Sequence, residues 1–277
     1  MWIDADAPLP DEIRTGRSLY GNDLAGADLK RWYDAESKGY YGLYAGDVDD
    51  SPVVGNAAIN YLDAEPFRGS KYEVALTLGC ADGKDILSTG LEIDRIVAIE
   101  PASEWWSNKI GEISAEYRLP LMSGDIDLPD ESIDIGILFG VLHHVATVEK
   151  VVGEIGRVLK AGAPIIIREP IGSMGDFRKD RPGLTRCERG IPPRLMVKFL
   201  ERAGFDGIKV DYSDTPGLIS LTRQIGLFNR LDQPILKLDR FMSNAMRWNN
   251  RYWRTSVLDK VAPRTATYRA RRKVGKG

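Results

Sequence analysis

The chain has 277 residues and a mass of 30.8 kDa, with 43% hydrophobic and 28% charged residues. That suits one large domain with an appendage and excludes a disordered or fibrous chain. No stretch approaches the roughly 18 apolar residues of a membrane span, and the first thirty residues lack the basic start and apolar run of a leader, so a soluble, cytoplasmic protein is expected. The formal net charge is only −2, yet residues 1–100 hold 19 acids against 9 bases and residues 222–277 hold 14 bases against 3 acids. Such a basic tail attracts an anionic ligand, a membrane surface or nucleic acid, or it is a solvated face that balances the acidic front.

Residues 23–37 carry a helical pattern, the run KGYYGLYAG (38–46) reads as a turn, and another helix is expected over 53–62. These pieces predict an N-terminal cap, residues 1–49, over the open end of a sheet. From about residue 72, short apolar runs alternate with helical patterns, as in a parallel sheet with crossover helices. The spacing predicts a first strand over 72–79 (YEVALTLG), a helix over 84–89 and a second strand over 94–100 (DRIVAIE). A helix over 103–116, opened by Trp105 and Trp106, leads to a short third strand over 117–125 (YRLPLMSGD). The continuous apolar run 132–140 (SIDIGILFG) suits a strand buried on both faces. Residues 147–162 set Val148, Val151, Val152, Ile155, Val158 and Leu159 at helical spacing before a stop at Gly162, and 164–170 (PIIIREP) reads as a fifth strand.

Residues 171–190 are Gly-rich and charged and read as a long loop of the kind that forms a binding loop or lid. A helix over 191–203, opened by two prolines, and a strand over 207–213 follow. Residues 217–260 predict two amphipathic helices around Pro234, and 266–272 (ATYRARR) alternates as a last edge strand. Cys80 and Cys187 are the only cysteines, with no CxxC spacing. The only histidines, His143 and His144, are adjacent and would face opposite sides of a strand, so no metal site is expected.

In an open α/β sheet, ligands bind beyond the carboxyl ends of the strands, where strand order reverses. The first strand ends in LTLGCADGKD (76–85), where Gly79 and Gly83 allow close backbone approach. The GxGxxG spacing of a dinucleotide site is absent, since position 81 is alanine and 84 lysine. Glu100 ends the second strand 21 residues after Gly79, the spacing at which an acid meets a ribose diol; the competing reading is a helix cap. The third strand ends in GDIDLPD (124–130), with Asp125 placed to accept from an exocyclic amine and Ile126 to cover a ring, or else the stretch is an ordinary turn.

The ordered run LTLGCADG, IVAIEP, SGDIDLP, SIDIGILFGVLHHV and EIGRVLKAGAPIIIREP resembles the class I S-adenosylmethionine-dependent methyltransferases, in particular the small-molecule branch with an LHHV element followed by RVLKPGG. The resemblance covers about residues 70–170. It implies S-adenosylmethionine as cofactor, with Gly79, Cys80, Ala81 and Gly83 around its methionine part and Glu100, beside Pro101, on the ribose hydroxyls. Asp125 would take the adenine amine, Ile126 the ring, and Phe139 and Gly140 would border the sulfonium. The sequence departs from the family's usual acid at Thr77 and glycine at Ala81, and Ala161 and Ala163 replace a proline and a glycine.

The fold implied is α/β, a Rossmann-like, doubly wound, mostly parallel sheet with a final antiparallel edge strand. Residues 50–215 form the methyltransferase domain and 216–277 a basic helical insertion with the last strand. The activity implied is methyl transfer to a small-molecule or glycan-type acceptor at oxygen or nitrogen. One alternative is a non-catalytic relative that uses its basic C-terminal segment for a partner. Another is a nucleic-acid methyltransferase, disfavoured because GVLHHV (140–145) stands where an N/D-P-P-Y/F element is common.

His143 and His144 follow the fourth strand and are candidate general bases, against a structural role in packing or capping. Glu169, at the same sheet edge, faces the acceptor or pairs with Arg168 or Arg178. Tyr40, Tyr41 and Tyr44 stack on an acceptor or fill a loop cluster. The segment RFMSNAMRWNNRYWR (240–254) combines arginine with aromatics, suited to nucleobases, to the headgroup layer at the inner membrane surface, or to covering its own domain.

Overall fold

The runs that are apolar on both faces take the middle of a sheet, as burial on both sides requires. The computed structural model describes residues 2–44, 53–215 and 233–275. Its strands are β1 (Lys71–Leu78), β2 (Glu92–Ile99), β3 (Lys109–Ile110), β4 (Ile113–Arg118), β5 (Ile135–Phe139), β6 (Pro164–Pro170), β7 (Phe205–Ser213) and β8 (Thr265–Arg272). They form one sheet in the order β3-β4-β2-β1-β5-β6-β8-β7. β4, β2, β1, β5 and β6 are mutually parallel, and β8 runs antiparallel to both β6 and β7.

The helices are α1 (Asp11–Arg14), α2 (Gly26–Tyr44), α3 (Val53–Ala64), α4 (Lys84–Leu87), α5 (Val148–Val158), α6 (Pro193–Arg202) and α7 (Gln233–Ala245). One face of the sheet is covered by an apolar cluster that includes Val148, Val151, Val152 and Ile155 of α5 with Met196 and Phe199 of α6. A second cluster holds Ala64, Phe67, Ile86 and Ile110 with Tyr72 and Ala75 of β1 and Ile93, Ile96 and Ala98 of β2. The chain builds outward from β1 through β2 to β4, then returns to the other flank of β1 with β5 and β6. Strand order therefore reverses at β1, and a crevice opens at its carboxyl tip.

The doubly wound α/β fold agrees with the sequence, with four differences. The helix expected over 103–116 is instead a 3-10 turn, Ser103–Trp105, followed by the β3–β4 hairpin. Ile113, Ala115 and Tyr117 alternate onto one apolar cluster, and Gly111, at φ +59°, makes the turn. The third parallel strand, β4, accordingly ends at Arg118 rather than reaching 125. β8 is antiparallel as expected but lies one place inside the edge, because β7 pairs along its outer side. Finally, α2 continues to Tyr44 through the expected turn. The side chains of Tyr40, Tyr41 and Tyr44, and the expected helix before Pro234, lie outside the described residues.

A third cluster joins the N-terminal segment to the 171–190 loop, with Tyr20 and Trp32 packed against Phe177, Cys187 and Tyr252. Trp32 is fully buried, and its indole N–H donates to the His144 carbonyl at 2.8 Å. Among the described residues, no helix is long and apolar enough to cross a membrane.

Candidate active site

The loop after β1 is shaped by backbone that lacks side chains. The Gly79 N–H donates to the Ile99 carbonyl at 2.8 Å, and its φ is +55°. A Cβ at this position would lie 2.6 Å from Val141, so the tips of β1 and β5 approach this closely only with glycine there. Ala81 also has positive φ, +47°, a conformation in which an L-residue is strained. Two bonds hold it: its N–H donates to Glu100 Oε2 at 2.9 Å, and its carbonyl accepts from the Tyr117 hydroxyl at 3.0 Å.

Glu100 is 1% exposed. Its Oε1 accepts the Ala102 N–H at 3.0 Å while Oε2 accepts that of Ala81. Burial raises its pKa, against the opposing pull of these two amides. Each carboxylate oxygen so held retains acceptor capacity for one more donor. Trp106 donates to the Glu100 backbone carbonyl at 3.1 Å and stacks on Tyr117.

The loop after β4 is anchored from α5. Glu154 accepts the Ile126 N–H at 3.0 Å, and Arg157 donates to the Ile126 and Leu128 carbonyls at 2.7 and 2.9 Å. Asp125 receives Lys150 at 2.8 Å and the Ser123 hydroxyl at 2.5 Å, which lower its pKa. Ile126 is buried.

Past β5 the two histidines lie in a turn rather than a strand, and their ring centroids come within 4.1 Å. Glu169 organises this turn. One oxygen accepts the N–H groups of Val141 and Leu142 at 2.9 and 2.7 Å; the other contacts the His143 ring Nδ1 at 2.7 Å. Glu169 is thus fully buried and occupied, while Arg168, on the opposite face of β6, pairs with Asp63, and Arg178 with Asp176. Arg189, fully buried, donates to the carbonyls of His143 and Tyr20 at 2.9 Å and lies 4.7 Å over the Trp32 ring.

His144 Nδ1 meets Glu36 Oε2 at 2.8 Å and the Thr185 hydroxyl at 3.0 Å. Glu36 also accepts the Thr185 hydroxyl at 2.6 Å and the Cys187 N–H at 2.7 Å. Burial alone would lower the His144 pKa, but the hydrogen bond and charge of Glu36, reinforced by Glu188 and Glu169, raise it. For Glu36, burial raises the pKa and His144, Thr185 and the Cys187 amide outweigh it, so the net shift is downward. His143, His144 and Glu188 also bring donor atoms within 4.8 Å of one another. Protein groups already engage them: Glu169 and Glu36 hold the two rings, and Glu188 accepts from Thr185.

These elements surround a cavity of about 390 Å³. Gly79, Ala81, Glu100, Pro101, Asp125, Ile126 and Gly140 line it, together with His144. Cys80, Gly83, Phe139 and His143 are not among its lining residues. Cys80 packs into the core beside Tyr117, where burial pushes its thiol up to about 12. Gly83 is where Ile110 packs, a Cβ there lying 2.4 Å from it, and Phe139 carries the Arg168 guanidinium 4.5 Å over its ring. Tyr33, Glu36 and Thr185 line the cavity as well. Sequence reasoning missed them; the 171–190 loop was the one signal that pointed towards Thr185.

Residues 76–167 match a family model described as a methyltransferase domain. A probable S-adenosylmethionine-dependent methyltransferase of Mycolicibacterium smegmatis is 26% identical over 184 residues, 58% of this chain and 70% of that protein. Among solved structures, a SAM-dependent methyltransferase from Archaeoglobus fulgidus is similar at a TM-score of 0.54 and 15% identity, over 84% of this chain and 100% of that one. Phosphoethanolamine N-methyltransferase 2 of Haemonchus contortus gives a TM-score of 0.54 at 14% identity, over 91% of this chain and 61% of that one. The cyclase SpnF gives 0.52 at 16% identity, over 92% of this chain and all of that one. At these identities the structures share the fold, and they share it across different chemistries.

Proposed function

From the premise that this chain belongs to the class I S-adenosylmethionine-dependent methyltransferases, we propose that it transfers the methyl group to an oxygen or nitrogen of a small-molecule or glycan-type acceptor, with His144 as general base. The observation that carries this reading is one cavity lined both by Gly79, Glu100 and Asp125 and by the Glu36–His144 pair.

The residues present fit the cofactor. The buried Glu100 carboxylate, with one amide on each oxygen, has the acceptor capacity that a vicinal diol requires. Asp125 is assigned to the adenine amine, Ile126 to its ring, and the Gly79–Ala81 backbone and Gly140 to the methionine end. Bound there, the sulfonium supplies an already activated methyl electrophile. What remains for the protein is to align the acceptor, exclude water and take its proton.

With Nδ1–H directed at Glu36, His144 keeps Nε2 as its acceptor nitrogen. Glu36 then stabilises the imidazolium that forms when the acceptor's proton arrives. We give this role to His144 rather than His143, since His143 is held between Glu169 and Glu188 away from the cavity lining. Calorimetry with S-adenosylhomocysteine on the wild-type chain and on Glu100→Ala tests the cofactor side. Saturable binding to the first and its loss in the second is the expected result; no binding to the wild type would defeat the assignment.

A further inference from the structure

α7 is amphipathic in the opposite sense to a helix that simply covers its domain. It is fastened by polar groups. Asp239 accepts the N–H groups of Asp214 and Thr215 at 2.8 and 3.0 Å, Ser243 bonds the Thr215 hydroxyl at 2.6 Å, and Arg240 pairs with Asp63. Asp239 and Ser243 are buried, one helical turn apart. The other side carries Leu238, Phe241 and Met242, at i, i+3 and i+4, and the following turn adds Trp248. Phe241 is 70% exposed and Trp248 69%.

Along the chain from 234 to 258 the exposed charges are of one sign. From 234 to 258 the only acid is Asp239, which is buried and consumed by the anchoring bonds, whereas Lys237, Arg247 and Arg251 are exposed. The face is also placed at the functional end of the sheet. Along β8, Thr265 lies opposite both Pro170 and Ser213, so the end of β7 that α7 clamps is level with the tip of β6.

We propose that the Leu238–Phe241–Met242–Trp248 face, rimmed by Lys237, Arg247 and Arg251, docks on the interface of an anionic lipid bilayer. Apolar side chains at this density call for an apolar phase, and cations that form no ion pair among the described residues call for phosphate; a headgroup layer offers both. A second copy of the chain fits poorly, because a two-fold contact would set Lys237, Arg247 and Arg251 against their own copies, and the 234–258 segment offers no exposed acid to separate them. Nucleic acid satisfies the cations but gives the aliphatic Leu238 and Met242 nothing to stack on. This inference does not depend on which acceptor is methylated.

Flotation of the full chain with vesicles tests it. Co-flotation is expected with phosphatidylcholine–phosphatidylglycerol vesicles, weakened by high salt, and not with phosphatidylcholine alone. Reversing the rim, K237E/R247E/R251E, should lower binding about a hundredfold. Removing the anchors, F241S/W248S, should lower it at least about tenfold while both variants keep the wild-type melting temperature and S-adenosylhomocysteine affinity, since these side chains are exposed. Absence of wild-type binding to anionic vesicles, or undiminished binding in F241S/W248S, overturns the proposal. A dimer in solution abolished by F241S/W248S, or oligonucleotide binding abolished by the charge reversals, would reassign the face and overturn it as well.

Discussion

The part of the cavity lining that holds Gly79, Glu100 and Asp125 is assembled from the tips of β1 and β2 and the loop after β4, which follow one another along the chain, and its central contacts are between backbone amides and one carboxylate. A second part of the lining, the second wall, joins Glu36 to His144 across 108 residues of sequence and Glu36 to Thr185 across 149. The first wall is held by the sheet and by α5, which anchors the loop after β4 through Lys150, Glu154 and Arg157. The other exists only when α2, the turn after β5 and the 171–190 loop have all docked. With the roles proposed above, cofactor recognition and proton handling are expected to be damaged separately.

The largest effect expected is on the first wall. Glu100→Ala removes charge-assisted hydrogen bonds of about 1.5–3 kcal/mol each, so S-adenosylhomocysteine affinity should fall at least about a hundredfold by calorimetry. A fall below tenfold would move the ribose away from Glu100. On the second wall, His144→Ala should cut the methyl-transfer rate by about 10²–10⁴ with the best acceptor from a small-molecule and glycan screen, and leave cofactor affinity nearly unchanged. Equal losses in rate and in cofactor binding would show that the walls are not independent.

The acid dependence sharpens the same contrast. Only a neutral His144 accepts a proton, and its pKa is raised above 6.5, so the acidic limb of the rate profile should lie above pH 6.5. Glu36→Gln should move that limb downward; an unmoved limb would separate Glu36 from the base. Stability follows with its own sign. The raised histidine contributes fully below pH 6.5 and loses this as pH climbs through its folded pKa, whereas the lowered Glu36 contributes above pH 4.5 and loses it as pH falls through its own. The Glu36→Gln loss in melting temperature should therefore be greatest between these values. The smallest effect is expected from Ala81→Gly, which relieves the positive φ at the cost of a more flexible unfolded chain and should stabilise by about 0.5–1 kcal/mol.

The legibility of the two walls in the sequence differs for the same reason. Gly79 and Glu100 directly follow the apolar runs of β1 and β2, so their convergence follows from strand order, whereas Asp125 lies seven residues past the end of β4 and is brought in by α5. Ala81, noted as a departure from glycine, turns out to occupy a left-handed position, which is why glycine is usual there. Glu36 carries no such mark: on the sequence it is one acid among several along a helix, and only the docking of α2 against the histidine turn gives it a partner. The hairpin over 109–118 was hidden by a double period. Trp106, Ile110, Ile113 and Tyr117 recur at helical spacing, while Ile113, Ala115 and Tyr117 alternate, and pairing with β2 decides for the strand. For the same reason Glu169, expected near an arginine or the acceptor, is found holding three consecutive amides, a role invisible without the turn itself.

The position of β8 bears on how the molecule is made. Ser213 waits for Thr265, 52 residues downstream, to bond its hydroxyl, and β6 has an open edge until the same strand arrives. On a ribosome adding about 5–20 residues per second, β7 is without its ladder for several seconds. During that interval the half of the sheet around β1 already has every partner it needs.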